Sequence, residues 1–250
     1  MFSFIKSKSS DNVAVIIDAD NGLNHKKVLQ VEAEGKKPNK EIILHDEEQF
    51  MIYPKKTAER VYIVGPNGSG KSWQAGKYCE SYNMLYPKHK IVMFSPHEKD
   101  EAYARVKNLV IVNLNDPQLT SEPLDITRLE QTLVIFDDCD NHQDKKTKSW
   151  LDSLEKDIIM NGRKYGIYTL SICHMMMNGA STRHKIAEAG RTVFFPSSGS
   201  TYHIKRYLQV YCGLSKEQIM TILNIQSRWV CISNTFPQYI LWDRGALLLK

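Results

Sequence analysis

No hydrophobic run in this chain approaches the ~20 residues that a membrane-crossing helix needs, and the apolar part of its opening, MFSFIKSKSS, is too short for a signal peptide. A soluble protein that does not span a membrane is the expectation. Cysteine is scarce and scattered. Cys79, Cys139, Cys173, Cys212 and Cys231 form no C-x-x-C pair, which argues against a disulfide framework and for reduced thiols in a cytosol-like compartment. Cys139 and His142, with Cys173 and His174, come nearest to a metal-ligand set, but their spacing fits no familiar zinc module. Repeats and low-complexity tracts are missing too, which leaves no sign of a solenoid or a long linker. Neither charge sign dominates: 33 Lys and Arg against 28 Asp and Glu permit nucleic-acid contact without arguing for it. The 250 residues can bury a sizeable core and suit one α/β domain with trimmings better than two full domains.

What the chain does have is VYIVGPNGSGKSWQ, from Val61 to Gln74. Gly65, Pro66, Asn67, Gly68, Ser69, Gly70, Lys71 and Ser72 match G-x-x-x-x-G-K-[ST], between a strand-like run and a helix-compatible one. The glycines let the backbone turn so that successive N–H groups point at phosphate oxygens, and the following helix adds its positive end. Lys71 then reaches the β- and γ-phosphates of a nucleoside triphosphate, and Ser72 ligates Mg²⁺.

Downstream, TLVIFDDCD reads as a buried strand delivering Asp137 and Asp138 at its C-terminal edge, a Walker B strand. Asp137 is the expected Mg²⁺ ligand, directly or through water, and Asp138 the residue that polarises the attacking water. Between the motifs, KIVMFSP and LVIVNL are further strand candidates. They make room for the additional strand of the ASCE division, in which phosphate loop and catalytic acid are not on adjacent strands. An LSGGQ signature is lacking, as is a D-x-x-G plus N-K-x-D pair. A small-molecule or nucleoside kinase would need an arginine-rich lid, for which STRHK is a thin candidate.

Residues 1–55 read as a β-rich leader, with VAVIID and EIILHD as strands around a polar stretch. Residues 56–250 read as the ATPase domain, in which strands alternating with helical stretches imply a mostly parallel sheet with helices on both faces. Near its end, YHIKRYLQVYCG is an amphipathic helix stopped at Gly213, and Ser215 with Gln218 forms a capping box that opens a second helix. The pair could read DNA, although packing on the sheet is the commoner reason for such helices. RWVCIS and YILWD follow as strands.

Taken in order, GPNGSGKS, LVIFDDCDN, NGRKYGIYTLSICH, STRHKIAEAGRTVFFPSSGS and IKRYLQVYCGLS resemble the genome-packaging ATPases of large DNA viruses and virophages, in the FtsK/HerA superfamily, from about residue 60 to 243. The resemblance implies a RecA-like ASCE P-loop fold with ATP and Mg²⁺ as cofactors. It also implies a homo-oligomeric ring that threads double-stranded DNA into a capsid, with a capsid or inner-membrane viral protein as partner. The implied location is the host cytoplasm, in the viral factory, or the virion itself.

By the same resemblance Arg163, in NGRKYG, matches the arginine finger that completes a neighbour's site, with Arg183 as the next candidate; an exposed helix-end arginine is the plainer reading. His174 stands where the family has a polar sensor, often glutamine, and a satisfied structural histidine would look the same. Lys145, Lys146 and Lys148, after Walker B, are placed to meet DNA phosphates, although a charge run is more often a solvated face. Besides the kinase, a nucleotide-switched assembly ATPase that moves no DNA remains open.

Overall fold

The computed structural model describes residues 1–17, 22–32, 40–45, 47–98, 100–121 and 124–249. They fall into two compact units, one of Met1–Lys56 with Gly190–Lys250 and one of Thr57–Ala189. By contact, then, the C-terminal segment groups with the N-terminal strands, whereas the sequence division at 55/56 groups it with the phosphate loop. The reason is pairing across a long stretch of chain, which no local pattern reveals.

The first unit opens with β1 (Phe2–Ser3), β2 (Asp11–Ile17), β3 (Leu23–Val31), β4 (Glu41–Ile43) and β5 (Gln49–Ile52). Four of these form an antiparallel sheet in the order β1-β3-β2-β5. β3 lies inside the stretch that reads as polar. Its first half is largely exposed and only its last residues, such as Val28 and Leu29, are buried, so it lacks the apolar run that marks a strand. The part of that stretch at 33–39 is outside the described residues.

The second unit holds β6 (Arg60–Val64), α1 (Lys71–Leu85), β7 (Ile91–Ser95), β8 (Leu109–Asn113), β9 (Leu133–Asp137), α2 (Lys145–Asn161), β10 (Tyr168–Cys173) and α3 (Ala180–Glu188). All five strands are parallel, in the order β6-β10-β9-β7-β8. β6, β9 and β10 are buried almost throughout, as expected of parallel strands covered on both faces. Side chains alternate across the sheet. Val134 and Phe136 of β9 join Leu151, Leu154 and Ile158 of α2 in one core, while Asp137 faces the side that carries α1. The strand between the phosphate-loop strand and the Walker B strand is β10, which follows both motifs in sequence. KIVMFSP and LVIVNL form β7 and β8, beyond β9, so they are not the inserted strand. This is the ASCE arrangement.

The chain returns to the first unit with β11 (Arg191–Phe194), α4 (Thr201–Val210), α5 (Lys216–Leu223), β12 (Val230–Ser233), β13 (Tyr239–Trp242) and β14 (Gly245–Leu248). Within this unit the strands run antiparallel in the order β4-β14-β13-β12-β11. The Ser215–Gln218 capping box opens α5, and α4 ends at Val210, before Gly213 takes a φ of +63°. Ile204 and Leu208 of α4 and Ile219 and Ile222 of α5 are buried, so these apolar faces serve packing. No described helix is long and apolar enough to cross a membrane.

Candidate active site

The loop Gly65–Gly70 joins β6 to α1 at the C-terminal edge of the parallel strands, where open α/β sheets bind ligands. Gly68 and Gly70 take φ values of +73° and +108°, a region that side-chain-bearing residues rarely adopt. Gly70 is the N-cap of α1, and the first turn of that helix carries no acidic residue. Its leading N–H groups and positive end are therefore available to an anion. Ser72 follows in that same turn.

Lys71 is buried, and its Nζ donates to the carbonyl of Pro66 at 3.2 Å. The same Nζ lies 3.4 Å from Nδ1 of His174, whose Nε2 lies 2.7 Å from Oδ1 of Asp138. One tautomer satisfies both contacts: Nδ1 accepts from the ammonium, and the Nε2–H donates to the carboxylate. The expected sensor thus bridges the phosphate-loop lysine and the expected general base. It can do so because β10, which ends one residue before it, lies between β6 and β9. On the other carboxylate oxygen, Nε2 of His97 stands 3.6 Å from Asp138 Oδ2. Asp138 has a φ of +53°, strained backbone for a residue with a side chain, and strain of this kind clusters at functional sites.

Asp137 and Ser72 line one cavity of about 550 Å³ together with His97, Asp100 and Tyr103. Burial, then the neighbouring Asp138 and Asp100, push the Asp137 carboxyl up to about 6, against the opposing pull of Lys71. Burial likewise lowers the Lys71 ammonium, opposed by Asp138 and Asp137. A buried carboxylate that is hard to ionise, facing a serine hydroxyl across the cavity, makes an oxygen donor set of the kind Mg²⁺ prefers. The residues present fit the ion.

Arg163 is not part of this cluster. It is exposed in a 3-10 turn, Gly162–Tyr165, that leads into β10. His174 follows the other end of that strand, about 20 Å away at ~3.3 Å per residue. Arg183 is exposed in the first turn of α3. Lys145, Lys146 and Lys148 occupy the first turn of α2, where the helix dipole disfavours cations. Lys148 Nζ donates to the Asp140 carbonyl at 2.5 Å.

Two further groups of residues near the site escape a reading by motif. His97 and Asp100 belong to SPHEKDE, just past β7; their position beyond the C-terminal end of a strand was the available signal. The second is a buried ion network. Lys185 of α3 meets Asp140 at 3.1 Å and Glu155 of α2 at 2.9 Å, and Ser171 of β10 donates to Glu155 at 2.6 Å. Burial would lower the Lys185 ammonium, but Glu155, Cys173 and Asp140 outweigh it and hold it raised. Spacing gave no signal for this set, since its members come from four elements.

No protein-family model matches the sequence. Among solved structures, the genome packaging NTPase B204 of Sulfolobus turreted icosahedral virus 2, in complex with ATP-gammaS, gives a TM-score of 0.49 at 13% identity over 77% of this chain and 98% of that one. EssC (ATPases 2 and 3) from Geobacillus thermodenitrificans gives 0.49 at 11% identity over 98% of this chain and 45% of that one. Likenesses of this strength carry no argument about activity, which rests on the site itself. The sequence is also 33% identical over 228 residues to the "Uncharacterized protein V3" of Sputnik virophage, covering 89% of this chain and 90% of that one. With that identity over that length, the chain belongs to the family of the virophage protein V3.

Proposed function

We propose that this chain is an ATP-driven translocase of double-stranded DNA that packages a viral genome, acting as a homo-oligomeric ring in concert with a capsid or inner-membrane viral protein. The observation that carries the reading is the chain of contacts Lys71–His174–Asp138, beside Asp137 and Ser72. It joins the phosphate loop to the Walker B acids through the inserted strand. The ordered motifs in the sequence and the kinship with a virophage protein support the packaging role.

In this reading the loop N–H groups and Lys71 hold the triphosphate, while Ser72 and Asp137 hold Mg²⁺. Bound Mg²⁺ supplies charge neutralisation on the phosphoryl oxygens. Asp138 takes the proton of the attacking water. His174 passes the change at the γ-phosphate to the segment that follows it, where Tyr62 Oη donates to the carbonyl of Met175 at 2.9 Å. Arg163, far from its own subunit's site, completes a neighbour's and ties hydrolysis to correct apposition of subunits.

The test is the ATPase rate with and without long double-stranded DNA, alongside mass in solution with ATP. Turnover stimulated by DNA in a multi-subunit species is the expected result. A monomer whose turnover needs a small acceptor would make this a kinase. Slow hydrolysis indifferent to DNA would make it an assembly ATPase.

A further inference from the structure

Within the 57–189 unit, α2 and α3 enclose a groove of about 850 Å³ that is separate from the nucleotide cavity. Lys145, Lys148 and Lys156 line it from α2 and Arg183 from α3, against a single carboxylate, Asp152. Among the described residues, Lys145, Lys156 and Arg183 make no salt bridge. The start of α3 has neither a side-chain cap nor an acidic residue in its first turn and adds positive potential beside Arg183, whereas the Asp144 carboxylate caps α2 and offsets its positive end, so along α2 the cationic potential comes from the lysines. Such an arrangement repels itself until an anion lies along it.

The shape of the charge says what kind of anion. Positions 145, 148, 149, 152 and 156 recur at helical spacing and form one stripe along α2. At 1.5 Å per residue the stripe is about 16 Å long, or about five base steps of one DNA strand at 3.4 Å each. A compact anion would need a pocket with converging donors. Lysines spread along one helix face, with Asp152 among them and the Ser149 and Ser181 hydroxyls lining the same groove, suit a phosphate backbone held without reading sequence.

We propose that the α2–α3 groove is the track that seats the DNA backbone in this protein. The inference rests on the translocase reading and goes beyond it. It assigns Lys156 and Arg183 to DNA, gives Arg183 a role other than a finger, and leaves Lys146, which does not line the groove, outside the track. The groove also has a path to the site. Asp140, two residues past Asp138, accepts from Lys148 through its carbonyl and pairs with Lys185 of α3 through its carboxylate.

The experiment is binding of a fluorescent blunt duplex by anisotropy, without nucleotide, across a series of salt concentrations. Lys156→Gln and Arg183→Gln should each flatten the slope of log affinity against log salt by about 0.9, and the double variant by about 1.8. Lys146→Gln should leave the slope unchanged, and Asp152→Asn should tighten binding. All four positions are on the protein's surface, so matched melting temperatures serve as the control for folding. If wild type binds duplex and the slopes of Lys156→Gln and Arg183→Gln equal its own, the groove is overturned and the translocase reading survives. A wild-type protein that binds no duplex at low salt overturns both.

Discussion

His174 has two ring nitrogens, and each faces a residue that the sequence assigns to chemistry. Replacing the acid on one side is therefore informative. Asp138→Asn should keep ATP·Mg²⁺ binding while turnover falls by about two orders of magnitude or more, the usual contribution of a general base. Nucleotide affinity and single-turnover rate measured separately decide it; equal loss of both would move metal ligation onto Asp138. The neighbouring acid behaves differently because it is buried. With its carboxyl pushed from an ordinary 3.8 to about 6, Asp137 holds its proton more tightly folded than unfolded. Its favourable contribution is complete below about pH 4 and disappears as pH rises through 6. In metal-free protein at pH 8, ionised Asp137 costs up to about 3 kcal/mol. Asp137→Asn should then melt higher than wild type in chelator at pH 8, match it near pH 4, and lose Mg²⁺-dependent turnover. A variant that melts no higher at pH 8 would show that the site pays no such penalty.

Between residue and molecule stand the helices α2 and α3, fastened to β10 and to the segment after Asp138 by one buried cation. Lys185→Met removes it and leaves buried Glu155, still bonded to the Ser171 hydroxyl, and partly buried Asp140 without their shared cation. The loss should be about 3–5 kcal/mol by urea denaturation; a loss under about 1 kcal/mol, the scale of an exposed pair, would mean that solvent reaches the network. The elements themselves were largely legible. β6, β7, β8, β9, β10 and β11 coincide with apolar runs, and α4 and α5 with helical periodicity and a capping box. Four strands were not, and two of them, β1 and β5, are only two and four residues long. β3 is only partly buried and lacks an apolar run over its first half, whereas β14 does carry the apolar run 246–249 and is marked as a strand only by its pairing with β13 and β4.

At the scale of the assembled protein, Arg163 stands at the wrong end of β10 to serve its own site. Arg163→Ala alone should bind ATP and hydrolyse it poorly. Mixed with Lys71→Ala subunits it should regain some activity, because one class of interface then pairs an intact loop with an intact finger. Verified co-assembly with no activity above the sum of the parts would remove Arg163 from the mechanism.

The sequence by itself determined the phosphate loop, the paired acids and the strands that deliver them, because each is written in consecutive residues whose spacing and polarity act locally. Tertiary structure decided which strands are neighbours. Hydrogen-bonded pairing joins residues far apart in the chain, and it put β10 rather than β7 or β8 between β6 and β9. That choice sets His174 between Lys71 and Asp138, brings His97 to the same carboxylate, and leaves Arg163 at the opposite edge. It also packs α2 on α3, turning a run of lysines and a distant arginine into the walls of one groove. No periodicity encodes such meetings, since their energy comes from contacts between elements rather than within them.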